Sequence, residues 1–134
     1  MEQLIDAYKK EPIDAIIGSS MGGFAGYYLA KSLGVRAMLY NPALPYRTGI
    51  EQLVPEIMAK NPLADLRIVL GGLDDIIQSK DNLTFLAANY DFERNYQIVI
   101  RKELGHQIPK AVFEEETDAF FGLQTTNLKG FENL

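Results

Sequence analysis

The sequence contains no cysteine and no tryptophan, and a single histidine among 134 residues. Without cysteine, disulfide staples, thiolate chemistry and cysteine-ligated zinc are excluded, and nothing points to an oxidising compartment. Basic residues are also scarce: 13 Lys and Arg stand against 18 Asp and Glu, a net charge of −5. That balance gives no electrostatic footprint for a phosphate backbone or an anionic membrane surface, so nucleic acid and membrane are excluded as expected partners. No apolar stretch is long enough to cross a bilayer, and the opening "MEQLIDAYKKEPIDA" reads as polar and amphipathic rather than as a signal core. A cytoplasmic protein is expected. What is plentiful is apolar residue, 47% of the chain, enough for one compact domain over 1–134 with a real core.

The apolar residues fall into short runs. Ile13 to Ser19, Arg36 to Asn41, Arg67 to Gly72 and Tyr96 to Leu104 are rich in β-branched and apolar side chains and have the length of strands. Helical patterns lie between them: Met21 to Leu33, stopped by Gly34; about Gly49 to Ala59, with Thr48 and Glu51 placed for a capping box; and about Lys80 to Ala88. Flanking helices are expected over the first ten residues and over about Lys110 to Phe121, with a fraying tail over 122–134. Strands alternating with helices, the first three nearly continuous in apolar character, predict an α/β fold. Its sheet is four-stranded and predominantly parallel, with helices on both faces.

The stretch "AIIGSSMGGFAG" joins the first strand to the first helix. It lacks the G-x-G-x-x-G of a dinucleotide fingerprint and the Gly-Lys-Ser/Thr ending of a P-loop. It does hold G-x-S-x-G, as Gly18-Ser19-Ser20-Met21-Gly22. In that motif a serine sits on a sharp turn with its hydroxyl exposed, and glycines stand where side chains would collide with strand and helix. The alternative is a tight turn whose serine caps the helix.

A serine hydroxyl becomes a nucleophile only when a base takes its proton and a carboxylate orients the base. His106 follows the last strand in "ELGHQIP", and Asp74 and Asp75 follow the third in "VLGGLDDII". Each of these residue types has a commonplace reading, as a satisfied histidine or as Asx turns. Together they give the order Ser, Asp, His at the carboxyl ends of parallel strands, where open α/β sheets place their sites.

With these residues the chain resembles the α/β-hydrolase superfamily, and within it the small bacterial YqiA-type esterases. The narrower likeness lies in "IIGSSMGGF", "NPALP", "GGLDDII" and "GHQI" and extends from Ile13 to about Phe121. The resemblance implies Ser20 as nucleophile, Asp74 rather than Asp75 as orienting acid, His106 as general base and the Met21 N–H as an oxyanion donor. It implies a carboxylic ester or thioester as small-molecule substrate, with no metal or organic cofactor; a transferase using the same acyl-enzyme has the same signature. The family's earlier strands and the loop that completes its oxyanion hole have no counterpart ahead of Ile13. The chain therefore matches the carboxyl-terminal part of the fold, and the nucleophile strand is expected at a sheet edge. Because "IDAIIGS" carries no edge-protecting lysine, pairing along Ile13 to Ser19, as a homo-oligomer or with a covering segment, is expected. The alternative to an enzyme is a catalytically weak or inactive module that assembles through this strand.

Three further stretches have two readings each. "FEEETDAF" is either a metal site or, the reading preferred here, a solvated helix face, because a helical run does not converge its oxygens on one ion. Phe24, Tyr27 and Tyr28 either line an acyl pocket or pack the helix on the sheet. "NPALPYRTG" either shapes the entrance to the site or acts as a stiff connector.

Overall fold

The computed structural model describes residues 13–46 and 65–122. The helices expected over the first ten residues and about Gly49 to Ala59, the Thr48 and Glu51 capping box, and the tail from 123 onward lie outside them.

Four strands form one all-parallel sheet: β1 (Ala15–Ser19), β2 (Arg36–Tyr40), β3 (Leu66–Gly71) and β4 (Tyr96–Arg101), in the spatial order β1-β2-β3-β4. Helix α1 (Met21–Leu33) follows β1, and α2 (Ser79–Ala88) follows β3. After β4 the chain forms α3 (Lys110–Thr117) and a π-helical turn over Asp118–Gly122. Helix α1 spans the bounds its pattern predicts. Gly34 ends it in the left-handed region at φ 68°, ψ 34°, its N–H bonded to the Ala30 carbonyl at 2.8 Å.

Strand alternation divides the core in two. Ala37, Leu39, Leu66, Ile68 and Leu70 face one side, where Phe24, Tyr27 and Ala30 of α1 and Phe85 and Leu86 of α2 cover them. Met38, Tyr40 and Val69 face the other, against Leu104, Phe120, Ile108 and Val112. The sheet thus carries helices on both faces, as the sequence predicts. Phe24 and Tyr27 are core residues, and Tyr28 packs on them; burial pushes the Tyr27 phenol well above its usual range.

Beyond one-residue shifts at the ends of β2, β3 and α2, three sequence-based expectations need correction. β1 begins at Ala15 rather than Ile13, because its pairing with β2 begins at Ala15 opposite Arg36. β4 stops at Arg101 rather than Leu104, since β3 reaches only Gly71 opposite it; the chain then turns, and Leu104 enters the second core. The acidic run is not wholly a solvated face. Glu116 is buried and bridges Arg67 at 2.8 Å and Arg101 at 3.3 Å, while Glu115 takes the outer side of Arg101 at 2.8 Å. Two arginines on β3 and β4 thereby fasten α3 to the sheet, and buried charges survive only when paired in this way.

Candidate active site

The turns that leave β1, β3 and β4 open at the same, carboxyl end of the sheet. Ser20 lies on the first, Asp74 on the second and His106 on the third.

Ser20 has φ 55° and ψ −118°, a conformation sparsely populated by any residue with a Cβ. Its backbone is gripped from several sides. The Ser20 N–H donates to the Tyr40 carbonyl at 3.0 Å, and the Ser20 carbonyl accepts from Phe24 N–H at 3.0 Å and Ala43 N–H at 2.9 Å. The side chain makes no capping bond to α1, so the plain cap reading of this serine fails. A Cβ on Gly18 would run into the Gly22 carbonyl group, 2.7 Å from its carbon, which lets strand and helix meet this closely. Gly22 itself has open space where a Cβ would stand; Gly23 is the second tight position, with Pro42 Cα and Cβ at 2.8 Å. The glycine needed on the helix is thus Gly23, not Gly22, because the segment after β2 closes over that point. Met21, the first residue of α1, has an amide with no intrahelical acceptor, as every first-turn amide does.

Asp74 is held through its side chain, which is fully buried. Oδ1 accepts from the amides of Ile76 and Ile77, both at 2.9 Å, and Oδ2 lies 2.9 Å from His106 Nδ1. Asp75 is exposed. In the neutral imidazole, a carboxylate acceptor calls for the proton on Nδ1 and leaves the lone pair on Nε2. Among the described residues, a hydrogen bond joins Asp74 to His106 and none joins His106 to Ser20. An open cavity of about 510 Å³ reaches His106 and is also lined by Ile17, Ser19, Tyr40, Ile108 and Phe113; neither Ser20 nor Asp74 lines it. No cluster of three or more acidic or histidine residues able to hold a metal occurs among the described residues, and no helix among them is long and apolar enough to cross a membrane.

The residue the motif reading passes over is Asn41. It is 1% exposed, has φ 41°, and uses both ends of its amide. Oδ1 accepts from Gly71 N–H at 2.7 Å, and Nδ2 donates to the carbonyls of Gly105 at 2.9 Å and His106 at 3.0 Å. In sequence, Asn before Pro signals a turn; its position directly after a buried parallel strand was the available hint of more.

Comparison with known proteins agrees with this architecture. Residues 1–61 match the model of an uncharacterised protein family, UPF0227. No curated protein sequence matches. Among solved structures, an α/β-superfamily protein from Xanthomonas campestris pv. campestris aligns with a TM-score of 0.61 at 19% identity, over 93% of this chain and 66% of that one. Esterase PE8 aligns with a TM-score of 0.58 at 22% identity, over 87% and 53%. Acyl-protein thioesterase 2 of Zea mays aligns at 0.57 and 19%, over 90% and 62%. The chain spans between 53% and 66% of the length of these three structures. The chain has the fold of the α/β-hydrolases, and residues 1–61, which include the Gly18–Gly22 turn, resemble the UPF0227 family, the YqiA-type proteins.

Proposed function

We propose that the chain is a serine hydrolase acting on carboxylic esters or thioesters, with Ser20 as nucleophile, His106 as general base and Asp74 as the acid that orients it. The observation that carries this reading is the buried Asp74 carboxylate bonded to His106 Nδ1 at the sheet end where Ser20 stands with its side chain uncommitted. In the reaction His106 Nε2 takes the Ser20 proton as Oγ bonds to the acyl carbon. The carbonyl oxygen becomes an oxyanion facing the Met21 N–H. The oxyanion then collapses, the alcohol or thiol leaves with the proton from His106, and water repeats the sequence to free Ser20. Catalytic hydrogen bonds of free enzymes are commonly long and tighten with substrate, so a Ser20 to His106 bond is expected to form as the substrate binds. The esterase and the thioesterase among the structural neighbours support the reaction class.

The test is labelling with a fluorophosphonate, with mass spectrometry to locate the adduct and Ser20→Ala as control. Stoichiometric modification at Ser20 supports the hydrolase; a folded chain that stays unlabelled defeats it.

A second reading has its own observation. Among the described residues β1 is an edge strand, and its Ile17 is 46% exposed. An apolar edge with free backbone groups is a template for another strand. A second copy of the chain pairing along β1 is the occupant we propose, whether or not Ser20 reacts. Light scattering that finds a monomer at every concentration overturns it.

A further inference from the structure

We propose that Asn41 is a positioning residue for His106, setting the height and direction of the imidazole against Asp74; this rests on the role given to His106 above.

His106 sits on a turn, and a turn by itself does not fix a ring to within the few tenths of an ångström that proton transfer demands. Two attachments hold it. One is the ring's own bond to Asp74. The other is the backbone carbonyl of His106, which takes a bond from Asn41 Nδ2 together with the carbonyl of Gly105 before it. The same amide's oxygen accepts the Gly71 N–H, three residues before Asp74. One buried side chain therefore sets the spacing between the acid-bearing and histidine-bearing turns. Leu73 N–H adds a direct bond between them, to the Leu104 carbonyl at 2.9 Å. Asn41 is in turn fixed to the elbow. The residue before it, Tyr40, accepts the Ser20 N–H, and Ala43, two residues after it, donates to the Ser20 carbonyl.

The residue type fits the task. Asn tolerates the left-handed backbone at φ 41° better than other residues with a side chain. It is also small and carries two donors and an acceptor in one plane. All three of those groups that form bonds here meet backbone, so the bonds read geometry rather than neighbouring side chains. Asp in its place would keep the acceptor for Gly71 and lose both donors to the His106 turn. Gly would relieve the backbone and remove all the bonds.

The chain's single histidine makes the test direct, because selective ¹⁵N labelling of histidine gives signals from His106 alone. In the full chain the ring signals should show one tautomer, protonated at Nδ1. In Asn41→Gly and Asn41→Asp the tautomers should mix, while cooperative thermal unfolding persists. Fluorophosphonate labelling at Ser20 should slow about 10²-fold, the usual cost of a misplaced catalytic group. Folded variants with ring signals identical to those of the parent chain overturn the inference, and so does failure of both variants to fold, which marks Asn41 as a purely structural brace. Absence of Ser20 labelling in the parent chain defeats the hydrolase reading alone, because the ring signals judge Asn41 independently.

Discussion

The elbow at Ser20 and the turn at Asp74 solve opposite problems. At Ser20 the backbone is clamped, by bonds to Tyr40, Ala43 and Phe24, and among the described residues the side chain has no hydrogen-bond partner. At Asp74 the side chain is clamped, by the Ile76 and Ile77 amides and by His106, and is wholly removed from solvent. In the proposed reaction, the group that forms and breaks a covalent bond is held by everything except its reacting atom. A group that must stay still and keep another still is held by the atoms that act. The strain at Ser20 and the burial at Asp74 are the respective costs.

Breaking one member at a time should separate these two ways of holding a residue. Ser20→Ala should remove turnover of an activated ester by about 10⁶-fold. It should change unfolding free energy by less than about 0.5 kcal/mol in urea titration, because no bond of Oγ is lost. Asp74→Asn should lower turnover by about 10⁴-fold, through the wrong histidine tautomer. Asp74→Ala should add a stability loss of about 1–3 kcal/mol, since the Ile76 and Ile77 amides lose their acceptor. A Ser20-like insensitivity of stability to Asp74→Ala would break the contrast.

Smaller effects sharpen it. Gly23→Ala should cost about 1–3 kcal/mol, because its Cβ meets Pro42 and neither backbone can give way freely. Ser20→Gly should be about 1 kcal/mol more stable than Ser20→Ala, the difference reporting backbone strain that only a Cβ feels. Gly22→Ala, with open space around it, should raise stability by up to about 1 kcal/mol as the helix exchanges glycine for alanine. Each is read from denaturant midpoints at constant slope.

The sequence disclosed α1 to its exact ends because stop and start signals there are strong: an elbow serine before it and Gly34 after it. Strand ends were less legible. Where β1 begins and β4 stops depends on the length of the neighbour each has to pair with, and a strand's own residues do not encode that. Glu116 shows a second limit: a run of glutamates looks uniform, yet its third member faces Arg67 and Arg101 on the sheet and is buried. The choice between Asp74 and Asp75 followed family spacing, and the burial of Asp74 in the structure has a local cause in its two amide donors. Asn41 was hidden for a different reason. Its partners, Gly71, Gly105 and the His106 carbonyl, offer only backbone, which leaves no mark in a sequence.

Those same partners lie 30, 64 and 65 residues from Asn41 along the chain. Strands that pair in chain order let β1, α1 and β2 associate early, over short loops, whereas closing the Asn41 bonds requires β3 and β4 to have docked. Weakening those bonds should therefore accelerate unfolding and leave the folding rate nearly unchanged. In kinetic terms, the turn that carries His106 should be among the last parts of the molecule to be assembled and the first to be released.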